Sequence, residues 1–289
     1  MSPAGRDLLV RQEAVMGTVV SLTVAPGDLG MAAVDAALAE AVESLHEAER
    51  IFSPWIADSP LSRLRRREIT LGDAPPVLAE VLDTCRHLRE ATGGWFDPWA
   101  MPGGVDPSGM VKGWAAAGAL ARLCAAGLPG AAVNAGGDVA LHGSPAPGQP
   151  WRIGIRHPWR PEALAGIVEP PGAVATSGLY ERGLHLVDPF DGSRPCRVAS
   201  ASVTGPSLAV ADALATAAAV AGAAILPLVA ALAGYAAAVV LWDGTEVTSP
   251  DFPWARDGFG HEGDRPGGPG EVRSLHPADS RRPTSTLAR

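Results

Sequence analysis

Apolar positions recur every three or four residues between Met31 and Phe52, at Val34, Ala37, Leu38, Ala41, Val42 and Leu45, with Glu40, Glu43, Glu47 and Glu49 between them. That period predicts an amphipathic helix with one buried stripe. Asp58 or Ser59 can cap a short helix, and a longer one is predicted from Pro76 to Thr92, ended by Gly93-Gly94. An alanine-rich helix opens after Asp106-Pro-Ser and runs to Ala126. Strand character falls elsewhere. Val15 to Val24 reads as one strand, with Gly17 marking a bulge or a close approach. Ala132-Val133 and Val139–Leu141 flank Gly136-Gly137, which is either a simple turn or a backbone that lets a ligand come near. Trp151–Pro158 alternates, Val174–Gly178 leads into a turn, and Ala201–Thr204 carries the chain toward its most apolar part.

That part, 213–242, holds no charged residue. Its length nominally satisfies the rule for a membrane helix, but Gly222, Pro227 and Gly234 punctuate it and no basic cluster flanks it. It reads as a helix, a second short helix and a buried strand from Ala236 to Trp242, so no stable membrane insertion is expected. Asp243-Gly244 then turns into Thr245–Ser249, a hairpin signal. Alternating helices and strands with several hairpins predict an α+β fold with mixed or antiparallel sheets flanked by helices, arranged as two lobes around a central cleft. The composition shifts to Gly, Pro, Arg and Asp near the end, so the chain divides into an N-terminal extension, 1–12, a domain, 13–253, and a tail, 254–289, that reads as disordered.

The composition, 47% hydrophobic and 19% charged over 289 residues, is that of a globular enzyme. A net charge of -8 argues against nucleic acid as a partner, and a solvated helix end explains the cluster Arg63, Arg65, Arg66, Arg67. Three widely spaced cysteines, Cys85, Cys124 and Cys196, form neither a disulfide framework nor a zinc motif. With no apolar leader after Met1, the expected location is cytoplasmic.

Candidate chemistry centres on Val210-Ala-Asp212-Ala-Leu-Ala-Thr216. A four-residue step on a helix places the Asp212 carboxylate and Thr216 hydroxyl on one face. A magnesium or calcium ion suits two such oxygens; a helix cap or a solvated aspartate at a helix start fits the same residues. Trp95-Phe96-Asp97-Pro98-Trp99 is either a core plug or a stacking surface for a flat ligand. Gly104 and Gly109 have the first spacing of a phosphate loop, but Met110-Val111 stands where Lys-Ser/Thr is required.

Taken together these segments resemble the ApbE-like FAD:protein FMN transferases. The matching pieces, in order, are Met16-Gly17-Thr18, Phe52-Ser53-Pro54-Trp55, Gly94-Trp95-Phe96-Asp97, Asp106 through Lys112-Gly113, Asn134 through Asp138, Thr176-Ser177-Gly178, His185 through Pro189, and Ala211 through Thr216. The resemblance implies a transfer of FMN from FAD onto a Thr or Ser hydroxyl of an acceptor flavoprotein, with release of AMP. It implies a magnesium site from Asp212 and Thr216 with the backbone carbonyls of Gly109 and Ala215. It further implies an FAD site lined by Met16, Trp55, Trp95, Phe96, Asp97, Asp106, Lys112 and the backbone near Val187. His185 is the expected base, with Asp212 the alternative; the competing reading of His185 is a histidine satisfied within a strand. Trp55 replaces a frequent tyrosine and Trp95 a commonly small residue. The same site with water as acceptor would be an FAD pyrophosphatase, and without turnover an FAD-binding protein.

Overall fold

The computed structural model describes residues 8–178, 186–255 and 273–274. A nine-stranded sheet forms its centre. Its strands are β1 (Leu9–Val15), β2 (Thr18–Ala25), β3 (Gly130–Ala135), β4 (Asp138–Gly143), β7 (Ala173–Ser177), β8 (Val198–Gly205), β9 (Ala236–Leu241), β10 (Thr245–Thr248) and β11 (Arg273–Ser274), adjacent in that order. Every pairing is antiparallel. A separate hairpin joins β5 (Ile153–His157) to β6 (Arg160–Val168).

Alternation along the strands builds a core on each face of the sheet. Ala131, Val133 and Ala135 of β3, Ala173 and Ala175 of β7, and Ala237 and Val239 of β9 join the larger core. That core is completed by α1 (Met31–Phe52), α3 (Pro76–Ala91), α4 (Ser108–Ala125) and α5 (Leu208–Ala221). Their alternates, Ala132, Val139, Leu141, Val174, Ala236 and Ala238, meet Ile155, Val168 and Phe252 on the opposite face. A one-residue slip of any central strand would exchange the two sets, which fixes the register. Trp254 bridges to Val168 and packs against Phe252, and Ala255 N–H donates to Ile167 O, so these residues, first of the segment assigned to the tail, stand against β6.

One expectation needs correction. Val15 to Val24 is not one strand: Met16-Gly17 is a two-residue hairpin turn between β1 and β2, with φ of 54° and 68° and Val15 paired to Thr18. Positive φ at both positions fits the mirror-image turn whose twist suits a hairpin. The strand β6, with its polar start at Arg160-Pro-Glu162, gave no alternating signal. The apolar run after Asp212 resolves as predicted: α5 ends at Gly222 with φ 64°, a short 3₁₀ turn and α6 (Leu226–Ala230) follow, and β9 begins at Ala236.

The short helix α2 (Pro60–Arg65) starts with Ser59 accepting the Ser62 amide at 3.0 Å. It ends with Glu68 N–H donating to Arg63 O and Arg67 N–H to Leu64 O, at 2.9 and 3.0 Å. This closure puts one residue in the left-handed region, a place for glycine, and here Arg67 occupies it with φ 60°. Arg67→Gly is therefore expected to stabilise the fold by about 1 kcal/mol, raising Tm by roughly 2–4 °C in a thermal melt; an unchanged or lower Tm would show that the Arg67 side chain contributes more than its backbone costs.

At the end of β5, buried His157 accepts the Trp159 amide on Nδ1 at 3.2 Å. Burial, helped by the nearby Arg160 charge and opposed by Glu162, lowers its pKa from the ordinary 6.5. The neutral ring is thus the form that the fold favours, so its contribution is full above 6.5 and is lost as pH falls through the lowered value. Thermal melts should show Tm falling between pH 7.5 and 5.5, and falling less in His157→Asn, which keeps an acceptor but cannot charge. An equal fall in both would assign the acid sensitivity elsewhere.

Candidate active site

Helices α4 and α5 meet through small residues, and the site grows from that seam. Gly113 is the closest point: a Cβ there would lie 2.7 Å from Leu208 O and 2.8 Å from Asp212 Cβ. The contact is polar as well as tight. Gly113 N–H donates to Asp212 Oδ2 at 2.9 Å, and one turn earlier Thr216 Oγ1 donates to Gly109 O at 3.3 Å. Both pairs step by four residues, so one turn of each helix is matched to one turn of the other. Asp212, on the second turn of α5, is 3% exposed, and the sequence expectation that its carboxylate and the Thr216 hydroxyl share a face holds.

These groups open into a cleft between the two helices, the aromatic segment and the end of the sheet. Trp95, Phe96, Asp97, Asp106, Gly109, Lys112, Val187, Asp212 and Thr216 all line it. Met16 and Trp55 do not line it; Met16 sits in the hairpin turn, its amide donating to Glu49 Oε1 at 2.8 Å, and the Trp55 side chain stands in solvent at 93% exposure. Ala215 is fully buried in α5, one residue before Thr216. His185 lies outside the described residues; Leu186 and Val187, which follow it, line the cleft.

The aromatic stretch divides between the core and the cleft. Phe96 is buried, its amide held by Thr92 Oγ1 at 3.1 Å, whereas Trp95 meets Phe190 edge-on at 4.7 Å between centroids. Asp97 is held from both sides, by Arg89 Nε at 2.6 Å and by the Trp99 amide at 2.9 Å. Asp106 accepts the amide of Ser108, the first residue of α4, at 3.0 Å.

Sequence reasoning gave no role to Asp138. Its carboxylate is 1% exposed at the start of β4, ion-paired with Lys112 Nζ through Oδ2 and accepting the Thr176 amide on Oδ1 at 2.9 Å. A lysine at the cleft wall is thereby tied to the sheet. Residues 112 and 138 sit on different elements, and neither's local pattern names the other; only the buried acid after Gly136-Gly137 was a visible clue.

The donor set at the seam is a carboxylate, a hydroxyl and a main-chain carbonyl, all hard oxygens, and a Cβ at Gly109 would crowd Thr216 Oγ1 to 3.0 Å. Such a set fits magnesium or calcium and not zinc. Among the described residues, no group of three or more His, Cys, Asp or Glu side chains gathers.

Fold and cleft together define an α+β protein in which a helix seam of hard oxygens faces an aromatic and basic wall. A model of the ApbE family matches residues 16–104 and 101–239, and the chain belongs to that family. Among curated proteins it is similar to the FAD:protein FMN transferase of Rhodobacter capsulatus, 38% identical over 162 residues, which cover 51% of this chain and 30% of that protein. It is also similar to that of Vibrio cholerae, 37% identical over 122 residues, covering 38% of this chain and 36% of the relative. The matched segments thus span about a third of the length of these relatives. Among solved structures, the flavin transferase ApbE from Vibrio cholerae superposes with a TM-score of 0.70 at 22% identity, covering 88% of this chain and 96% of that one. The apo form of the Pseudomonas stutzeri flavinyl transferase ApbE gives 0.71 at 23%, covering 86% and 96%. These likenesses establish the antiparallel α+β fold.

Proposed function

We propose that this chain is a magnesium-dependent FAD:protein FMN transferase. The observation that carries the reading is the convergence of the Asp212, Thr216 and Gly109 oxygens with Lys112 and the Trp95-Phe96-Asp97 segment in one cleft. The names of the curated relatives support the same activity.

In this reading Asp212, Thr216 and the main-chain carbonyls of Gly109 and Ala215 would hold the ion. When bound, magnesium supplies positive charge to the oxygens that become more negative as AMP departs. Lys112, anchored by Asp138, presents its ammonium at the cleft wall, where a phosphate oxygen can share it. Trp95 gives an aromatic face for a flat ring, with Phe190 packed on its edge to hold it in place.

The acceptor's Thr or Ser hydroxyl forms a new P–O bond to the phosphorus on the FMN side, while the bond from that phosphorus to the bridging oxygen breaks and AMP leaves with that oxygen. A base must take the hydroxyl proton. His185 suits this as an imidazole, the side-chain type that most readily takes a proton near neutral pH, and in sequence it immediately precedes Leu186 and Val187, which line the cleft. Asp212 suits it less, because Oδ2 already accepts the Gly113 amide.

The test is the intact mass of a Thr/Ser-bearing acceptor domain of a redox flavoprotein after incubation with the protein, FAD and magnesium, beside an EDTA control. A gain of one FMN that EDTA abolishes is the expected result. AMP formed from FAD with every acceptor left unmodified would replace transfer by hydrolysis, and FAD bound but unchanged would overturn catalysis.

A further inference from the structure

Within the arginine cluster at the end of α2, Arg63, Arg66 and Arg67 are exposed, and Arg66 pairs with neighbouring Glu68. Arg65 departs from the solvated helix end that the sequence predicts. Its side chain is 17% exposed and spreads three donors over one loop: Nη1 to Asp106 Oδ2 at 3.0 Å, Nη2 to Pro102 O at 2.9 Å, and Nε to Gly103 O at 3.3 Å. The loop is shaped to receive it. Gly103 has φ 81°, and a Cβ there would stand 2.9 Å from Arg65 Nη2. Asp106 then passes the constraint on, since its other oxygen holds the Ser108 amide at the start of α4, one residue before Gly109. Arg65 lies outside the cleft that Asp106 lines.

We propose that Arg65 is a positioning residue for this cleft, a strut that fixes the 102–106 loop and, through Asp106, the first turn of α4 with Gly109 and Lys112. A planar guanidinium can satisfy a carboxylate and two carbonyls at once; an ammonium reaches fewer of them in fixed geometry, and an amide carries no charge for Asp106. The ligand arm of the test rests on the reading that the cleft takes FAD, whereas the loop arm does not.

Two measurements separate these arms: amide hydrogen exchange of residues 103–109 in ligand-free protein, and FAD affinity from quenching of flavin fluorescence. Arg65→Gln is expected to speed exchange in that segment and to weaken FAD binding about tenfold, as loss of a supporting contact does, while global Tm changes little. Arg65→Lys should fall between Arg65→Gln and wild type. The Arg65→Gln/Asp106→Asn double variant should cost less than the two single changes summed, close to the larger of them, because both break one link. Arg67→Gly, two residues along, should leave both readouts at wild-type values. Unchanged exchange at 103–109 in Arg65→Gln would overturn the strut, and full additivity of the two changes would overturn its action through Asp106. If wild-type protein fails to bind FAD, the proposed function falls, and the exchange measurement still decides the role of Arg65.

Discussion

Asp212→Asn should fold and lose the proposed magnesium-dependent transfer. Asparagine keeps an oxygen for the Gly113 amide, now at 2.9 Å from Oδ2, so the α4–α5 seam retains its hydrogen bond and the melting temperature without metal should stay close to wild type. What disappears is the negative charge among otherwise neutral oxygens, the part of the donor set that binds a divalent cation most strongly. Transition-state charge stabilisation by a metal amounts to several kcal/mol, and each 1.36 kcal/mol is tenfold in rate, so AMP release and FMN transfer should fall by about a thousandfold. Added magnesium should raise the Tm of wild-type protein and not that of Asp212→Asn, since binding to the folded state alone is what links metal to stability. A variant that keeps either the rate or the magnesium-dependent shift would remove Asp212 from the metal site.

Lys112→Met should produce the largest loss of stability. It strands the Asp138 carboxylate, 1% exposed, with the Thr176 amide as its remaining contact of those described above. Breaking a buried pair by removing one partner costs about 3–5 kcal/mol, because the other charge stays buried without compensation. Asp138→Asn keeps the bond from Thr176 and removes the charge, so Lys112→Met/Asp138→Asn should recover most of that loss in urea unfolding. A double variant as unstable as Lys112→Met would mean that the lysine acts through packing and not through its charge. Recovery should be confined to stability: the double variant still lacks a cation at the cleft wall, so its FAD turnover should remain low.

How far the sequence carried can be judged from these same residues. Asp212 and Thr216 were legible because a helical step of four is fixed by backbone geometry, and one acid in an alanine run has few explanations. The long helices were legible from their apolar period, and the β9–β10 hairpin from Asp243-Gly244. Met16-Gly17 was not, because its turn lacks the Asn-Gly or Asp-Gly pair that makes such turns visible, and strand-forming valines stand on both sides of it. The Lys112–Asp138 pair and the direction taken by Arg65 are tertiary facts: side chains from separate elements meet only once the sheet and helices have docked. Trp55 shows the converse, since an aromatic in a matching motif was expected in the ligand site and its side chain instead faces solvent.

The Gly113 approach also accounts for a compositional oddity. Where a Cβ would already stand 2.7 Å from Leu208 O, the facing helix has no room for broad side chains, and alanine becomes the commonest answer at position after position of α5. The high hydropathy of that stretch is then a by-product of distance: two backbones drawn together so that a carboxylate on one can reach an amide on the other. Selection for proximity, acting on side-chain volume, has written a sequence that reads as selection for greasiness.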